Sequence, residues 1–106
     1  MNIIKAIFVL MDEEFDRYLV ANVEVEVGAS VEFVEFIAVD SSNIAAIGYN
    51  QRLLCLFVRF ISGATYMYYD VPASVYSLLI FPDVITSVGR AFNILVKKGG
   101  YHYKRL

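Results

Sequence analysis

The spacing of apolar and polar positions changes several times along this chain, and each change marks an element. Over residues 2–11 the apolar Ile3, Ala6, Phe8 and Leu10 cannot all share one strand face, so the stretch reads as a strand buried on both sides. Asp12 then stands as an N-cap, with Glu13 and Glu14 in the following turn and Phe15, Tyr18 and Leu19 at i, i+3, i+4 spacing, which predicts a short helix. From Val23 the period is two. Val23, Val25 and Val27 alternate with Glu24 and Glu26, and Gly28-Ala29-Ser30 turns the chain into a second run over residues 31–39, a β-hairpin with its glutamates toward water.

Asp40-Ser41-Ser42-Asn43 interrupts the apolar pattern and marks the one internal boundary. Beyond it the pattern predicts a meander: a strand over residues 44–49, a turn at Asn50-Gln51-Arg52, a strand over 53–61, a turn at Ser62-Gly63-Ala64 and a strand over 65–70. In the middle strand Leu54, Leu56, Val58 and Phe60 point one way and Leu53, Cys55, Phe57 and Arg59 the other, so it is a central strand covered on both faces. Pro72 starts a short helix with Val75, Leu78 and Leu79 as its apolar stripe and Tyr76 beside them; it ends near Phe81 and is stopped by Pro82. Ser87 caps a second helix that runs through Phe92, Leu95 and Val96 to Lys97 and Lys98, and Gly99-Gly100 ends it. The tail from Tyr101 alternates again and supplies an edge strand. The expected fold is α+β: an antiparallel sheet, made of the meander and the N-terminal strands and hairpin, packed with two short C-terminal helices. Residues 1–39 form an acidic extension on the same core, and residues 40–106 form the principal domain.

Composition alters this picture in two respects. At 106 residues there is one domain with one core, and 58% of the residues are hydrophobic, above the ~45–50% of ordinary soluble domains, so apolar surface is available for self-association into a homo-oligomer. Apolar runs are broken well short of the ~20 residues of a membrane span, and the apolar start of the chain is followed by acidic residues instead of a cleavage site, so the expectation is a cytoplasmic protein that does not enter a membrane. Charge is segregated. Residues 1–40 hold two basic and nine acidic side chains, a balance of −7, and residues 41–106 hold seven basic and two acidic ones, a balance of +5. The two halves are either salt-linked to each other, or they present a basic patch for an anion beside an acidic segment that screens it or meets a protein partner.

Several ordered motifs then resemble a known module. Ser41-Ser42-Asn43-Ile44, Ile47-Gly48-Tyr49, Leu56-x-Val58-x-Phe60, Gly63, Tyr66-x-Tyr68-Tyr69-x-Val71-Pro72-x-x-Val75-Tyr76, Ser87-x-Gly89-Arg90-x-Phe92-Asn93 and Tyr101-x-Tyr103-x-Arg105-Leu106 are similar to the KTSC domain, over about residues 40–106. That family takes its name from an extension at the C-terminus of some lysyl-tRNA synthetases and also occurs as small stand-alone proteins of bacteria and phages. The resemblance implies nucleic-acid binding and no known catalysis. Val88 stands where the family usually has a basic residue, and the segment from Leu78 to Ile85 is more apolar than usual; both departures favour packing or oligomerisation over phosphate binding.

Catalysis finds little support in the residues themselves. His102 is the single histidine, Cys55 the single cysteine, set between leucines, and there is no metal-ligand spacing or phosphate loop, so neither enzyme nor cofactor is expected. Binding finds more. Tyrosine faces on a sheet stack bases at roughly 1–3 kcal/mol each, and cations track the backbone, here Arg59, Arg90, Lys97, Lys98, Lys104 and Arg105. The candidate ligand-binding residues are Tyr66, Tyr68, Arg59, Arg90, Phe92, Asn93, Tyr101, Tyr103, Lys104 and Arg105, with RNA, single-stranded DNA or a small nucleotide as partner. Each has a plainer reading: core tyrosines, a snorkelling Arg59, and an Arg90 paired with Asp70 or with the acidic half. The alternative function is a phage or mobile-element protein that engages a host protein through its acidic segment, or sequesters a signalling nucleotide as a homo-oligomer.

Overall fold

The computed structural model describes residues 3–10, 21–27, 30–80 and 87–106. The expected Asp12-capped helix, the Gly28-Ala29 turn and the Pro82 stop lie outside the described residues. Seven strands form a single sheet: β1 (Ile3–Leu10), β2 (Ala21–Val27), β3 (Ser30–Ala38), β4 (Ile44–Asn50), β5 (Cys55–Phe60), β6 (Thr65–Tyr68) and β7 (Tyr103–Arg105). Spatial order follows chain order and every neighbouring pair is antiparallel. Helices α1 (Ala73–Ile80) and α2 (Val88–Phe92) are inserted between β6 and β7. The α+β expectation holds. No described helix is long and apolar enough to cross a membrane.

Alternation sorts the sheet into two apolar layers. Leu56 and Val58 of β5, Ile44 and Ile47 of β4 and Tyr68 of β6 pack on one face with Val71, Leu79, Val88, Ala91, Phe92 and Val96. Val34, Phe36, Ala46, Cys55, Phe57 and Met67 pack on the other. Strand β5 is therefore central and buried on both faces, as its two apolar sets require. A bulge makes β4 serve the helix-covered face at both ends. The register slips between Ile44 and Ala46, which returns Ile44 to the side of Ile47 although the two are three residues apart.

Strand β5 starts at Cys55, two residues later than the apolar pattern predicts, because Leu54 has φ of +54° and leaves the extended region. The turn is closed by Asn50, whose Oδ1 accepts from the Leu53 N–H at 2.9 Å. In α1 the buried arc is Leu79 with half-buried Val75 and Tyr76, while Leu78 is exposed, off that arc by its helical angle. Ser87 caps α2 as expected, its Oγ accepting from the Arg90 N–H at 3.2 Å. Beyond Phe92 the helix widens into a π-helical turn, Asn93–Lys97, in which the Lys98 N–H reaches Asn93 O at 3.0 Å.

An ion pair links the acidic and basic halves: the Arg52 guanidinium in the β4–β5 turn meets the Glu32 carboxylate on β3. Continuity between the halves also runs through the sheet, where β3 pairs with β4 from Phe36↔Gly48 to Ala38↔Ala46. That pairing needs a residue without a side chain at position 48. A Cβ there would stand 2.8 Å from Phe36 Cδ1 and 2.8 Å from Val34 Cγ1.

Candidate functional site

The strand-to-helix joint after β6 is held by both polar groups of Val71. Its N–H donates to Leu54 O at 2.8 Å, and its carbonyl accepts the Tyr49 hydroxyl at 2.5 Å. Asp70, with φ of +55°, makes the bend, and Val71 itself is fully buried. Tyr49 in turn stacks on Tyr76 of α1, centroids 5.1 Å apart and 14° from parallel. This joint fixes where β6 ends, and so where its tyrosines stand.

Tyr66 and Tyr68 both project to the helix-covered face, and β7 lies beside them with Tyr66↔Arg105 and Tyr68↔Tyr103 in register. The Tyr103 ring sits 5.9 Å from Tyr66 and 5.7 Å from Tyr68. Phe60 meets Tyr66 edge-on at 5.8 Å, and Phe92 meets both Phe60 and Tyr68 edge-on, at 5.8 and 5.7 Å. Between this cluster and the end of the π-turn opens a cleft of about 520 Å³, lined by Phe60, Ser62, Ala64, Tyr66, Tyr68, Val96, Lys97, Tyr101 and Tyr103. Tyr101 is turned back into it by Gly99, where a Cβ would stand 2.7 Å from Leu95 O and 2.9 Å from the Tyr101 ring. Tyr68 is only 5% exposed, and its hydroxyl is pushed above the ordinary phenol range by burial and then by the neighbouring Tyr103 and Tyr66. Tyr103, by contrast, is 64% exposed.

Of the ten residues singled out in the sequence, Tyr66, Tyr68, Tyr101 and Tyr103 are brought together in this cleft. Arg105 stands opposite Tyr66 on the same side of the sheet, at its outer edge. The other five are elsewhere. Phe92 is fully buried in the core. Arg59 and Lys104 alternate to the opposite side of the sheet, at the register positions of Thr65 and Met67. Arg90 and Asn93 are exposed on the second helix and do not line the cleft. No ion pair of Arg90 is seen among the described residues. Sequence reasoning missed Phe60, Ser62, Ala64 and Val96, and offered Lys97 among the backbone-tracking cations without placing it at the tyrosines. Phe60 was recoverable, since it alternates onto the side of Leu56 and Val58, whereas Lys97 reaches the cleft through a π-turn that a 3.6-residue period does not anticipate.

Among the described residues no three metal-ligating side chains gather. Cys55 lies in the opposite core layer, its thiol pushed up to about 11 by burial and then by the Asp70 carboxylate, which makes it an inert structural thiol.

The fold and cleft define a compact α+β domain: a meandering antiparallel sheet, helices on one face, and an aromatic cleft at the C-terminal edge. Residues 40–103 match the sequence model of the KTSC domain, and the chain belongs to the KTSC domain family. The match begins in the loop before β4, so β1 to β3 lie outside it. The chain is 44% identical over 59 residues to a protein of Tsukamurella paurometabola, covering 56% of this chain and 84% of that one. It is 39% identical over 70 residues to an uncharacterized protein of Stutzerimonas stutzeri, covering 66% and 94% respectively. The crystal structure of the KTSC domain protein YPO2434 from Yersinia pestis superposes with a TM-score of 0.61 at 29% identity, over 69% of this chain and 97% of that chain.

Proposed function

We propose that this protein is a small non-enzymatic binding module whose ligand is a nucleotide or single-stranded nucleic acid, held in the tyrosine cleft. The observation that carries this reading is the convergence of Tyr66, Tyr68, Tyr101 and Tyr103 with Lys97 on one cleft of about 520 Å³. Pockets of roughly 300–1,000 Å³ with apolar walls and few polar groups are the usual form of a small-ligand site. Aromatic faces supply attraction that any base satisfies, and an ammonium supplies the complement to phosphate. Calorimetric titration at low salt with short RNA, single-stranded DNA and cyclic nucleotides tests it: micromolar binding to at least one is expected, and the absence of heat with all three classes sinks it.

A second reading rests on a different surface. On β3, at the end of the acidic segment, Phe33 is 70% and Val31 48% exposed, on the same strand face as Glu35. An exposed aromatic beside carboxylates suits docking onto a basic protein partner, in keeping with a phage or mobile-element protein that acts on its host. A host protein retained by the natural chain and lost with Phe33→Glu supports this reading; equal retention by both removes β3 as the determinant.

A further inference from the structure

Resting on the reading of the cleft as a nucleotide site, we infer that it takes one nucleoside phosphate at a time, a mononucleotide, and not a run of nucleotides along a strand. A sheet that binds a continuous strand presents separated aromatic platforms to successive bases and a line of cations to the phosphates between them. Neither feature is found here. Tyr66 and Tyr68 do not stand apart as two platforms, because the Tyr103 ring touches both, Phe60 closes on Tyr66, and Tyr68 is buried beneath the cluster. The ring left open to a ligand on this side is Tyr103, with half-buried Tyr101 also lining the cleft. One exposed ring receives one base.

The cleft is also small, about 520 Å³. Ser62 and Ala64 of the β5–β6 turn line it together with Val96, Lys97 and Tyr101. Charge agrees with shape. Among the described residues the one cation lining the cleft is Lys97, with Arg105 on the same side of the sheet at the edge and Lys98 exposed next to Lys97. Alternation sends Arg59 and Lys104 to the far side, and Arg90 is off the cleft. One ammonium at the rim, backed by an edge guanidinium, complements a single phosphate group. The base stacks against Tyr103 while the phosphate meets the Lys97 ammonium.

Titration of the full chain with adenosine, AMP, GMP, UMP and decamers of deoxyadenylate and of uridylate separates the alternatives. One AMP or other monophosphate per chain is expected, with each decamer less than tenfold tighter than its monomer. The decamers' log–log salt dependence should be shallower than about −2, since one to two neutralised phosphates give roughly −0.7 to −1.4. Tighter binding of a decamer by tenfold or more, or a slope of −2 or steeper, overturns the inference while leaving the nucleotide reading intact. Binding of none of these ligands overturns the inference, and if cyclic nucleotides are also silent it overturns the nucleotide reading as well. Tyr103→Ala should weaken AMP binding about fivefold or more, the scale of one stacked base, and Lys97→Ala should erase the preference for AMP over adenosine. Arg90→Ala should change neither. Retention of both AMP affinity in Tyr103→Ala and the phosphate preference in Lys97→Ala overturns the placement.

Discussion

Strands β5 and β6 send Leu56, Val58, Phe60, Tyr66 and Tyr68 to the helix-covered side of the sheet and Cys55, Phe57 and Met67 to the other, so the same ten residues of backbone build two unlike surfaces. The far side is filled with aliphatic, sulfur and phenyl groups, and its core members Val34, Phe36, Cys55, Phe57 and Met67 are fully buried. On the helix side the packing runs out toward β7: burial is complete at Leu56 and Val58, partial at Phe60 and Tyr66, and low at Tyr103. The cause lies in the chain. The second helix ends with its π-turn at Lys97, and the cleft beside that end is lined by phenols more than by aliphatics. Both layers stabilise the fold, but only the helix-side one ends in a cleft.

The largest effect should come from emptying the far layer. Phe57→Ala removes a fully buried ring in contact with Phe36, 6.0 Å between centroids, and should lower unfolding free energy by about 3–5 kcal/mol. Tyr103→Ala, at an exposed edge position, should cost under about 1 kcal/mol. Urea denaturation measures both. If the two losses are equal, the division between a filled layer and one that ends in a cleft is wrong.

Alkaline pH should weaken the same layer next. Cys55 ionises from 9.0 when unfolded and only near 11 when folded, so above pH 9 the unfolded chain releases its proton first. Stability is then full below pH 9, falls between pH 9 and 11, and is lower by roughly 2–3 kcal/mol beyond. Buried Tyr68 and half-buried Tyr69 and Tyr76, all raised first by desolvation, add a further loss above pH 10. In Cys55→Ala the onset of alkaline destabilisation should move from about pH 9 to about pH 10. An unchanged onset would show that the thiol is not the group responsible.

Gly48→Ala probes the contact through which the acidic extension joins the rest of the sheet. The new methyl would meet the Phe36 ring and Val34 at 2.8 Å, and both belong to a layer with no room to yield, so a loss of about 1–3 kcal/mol is expected by thermal unfolding. Wild-type stability in this variant would mean that β3 gives way easily, and that the family-matched residues fold with little help from the strands before them.

These contrasts bear on what could be read in advance. The meander, the central place of β5, the Ser87 cap, the edge strand and the joint at Pro72 were legible because alternation, capping and proline chemistry act over a few residues. Face assignment was legible only as a pair of alternatives. Period two says that Tyr66 and Tyr68 share a side, but which side helices cover is a tertiary fact. For the same reason Arg59 and Lys104 read as ligand cations and stand on the far side. The bulge at Ala45, the left-handed Leu54 and the π-turn each break a period by one residue, and the last of them carries Lys97 to the cleft without any local signal.

The smallest expected effects sharpen the comparison at the joint where the two layers meet. Leu54 holds φ of +54° with its side chain 43% exposed, a conformation that costs an L-residue roughly 1–2 kcal/mol relative to glycine. It is tolerated because the Leu54 carbonyl accepts from the Val71 N–H, while the Tyr49 O–H donates to the Val71 carbonyl. Leu54→Gly removes the backbone strain, keeps that carbonyl, and gives up only a half-exposed side chain, so it should leave stability unchanged or raise it by up to about 1 kcal/mol. Tyr49→Phe keeps the ring stacked on Tyr76 but leaves the buried Val71 carbonyl without its donor, and should lose about 1 kcal/mol. If the two variants shift the melting temperature in opposite directions, the joint is held by its hydrogen bonds to Val71 and not by the Leu54 side chain. If Leu54→Gly is instead the more damaging of the two, the packing of Leu54 outweighs its strain, and the position of β6, with its tyrosines, is set from the β4–β5 turn.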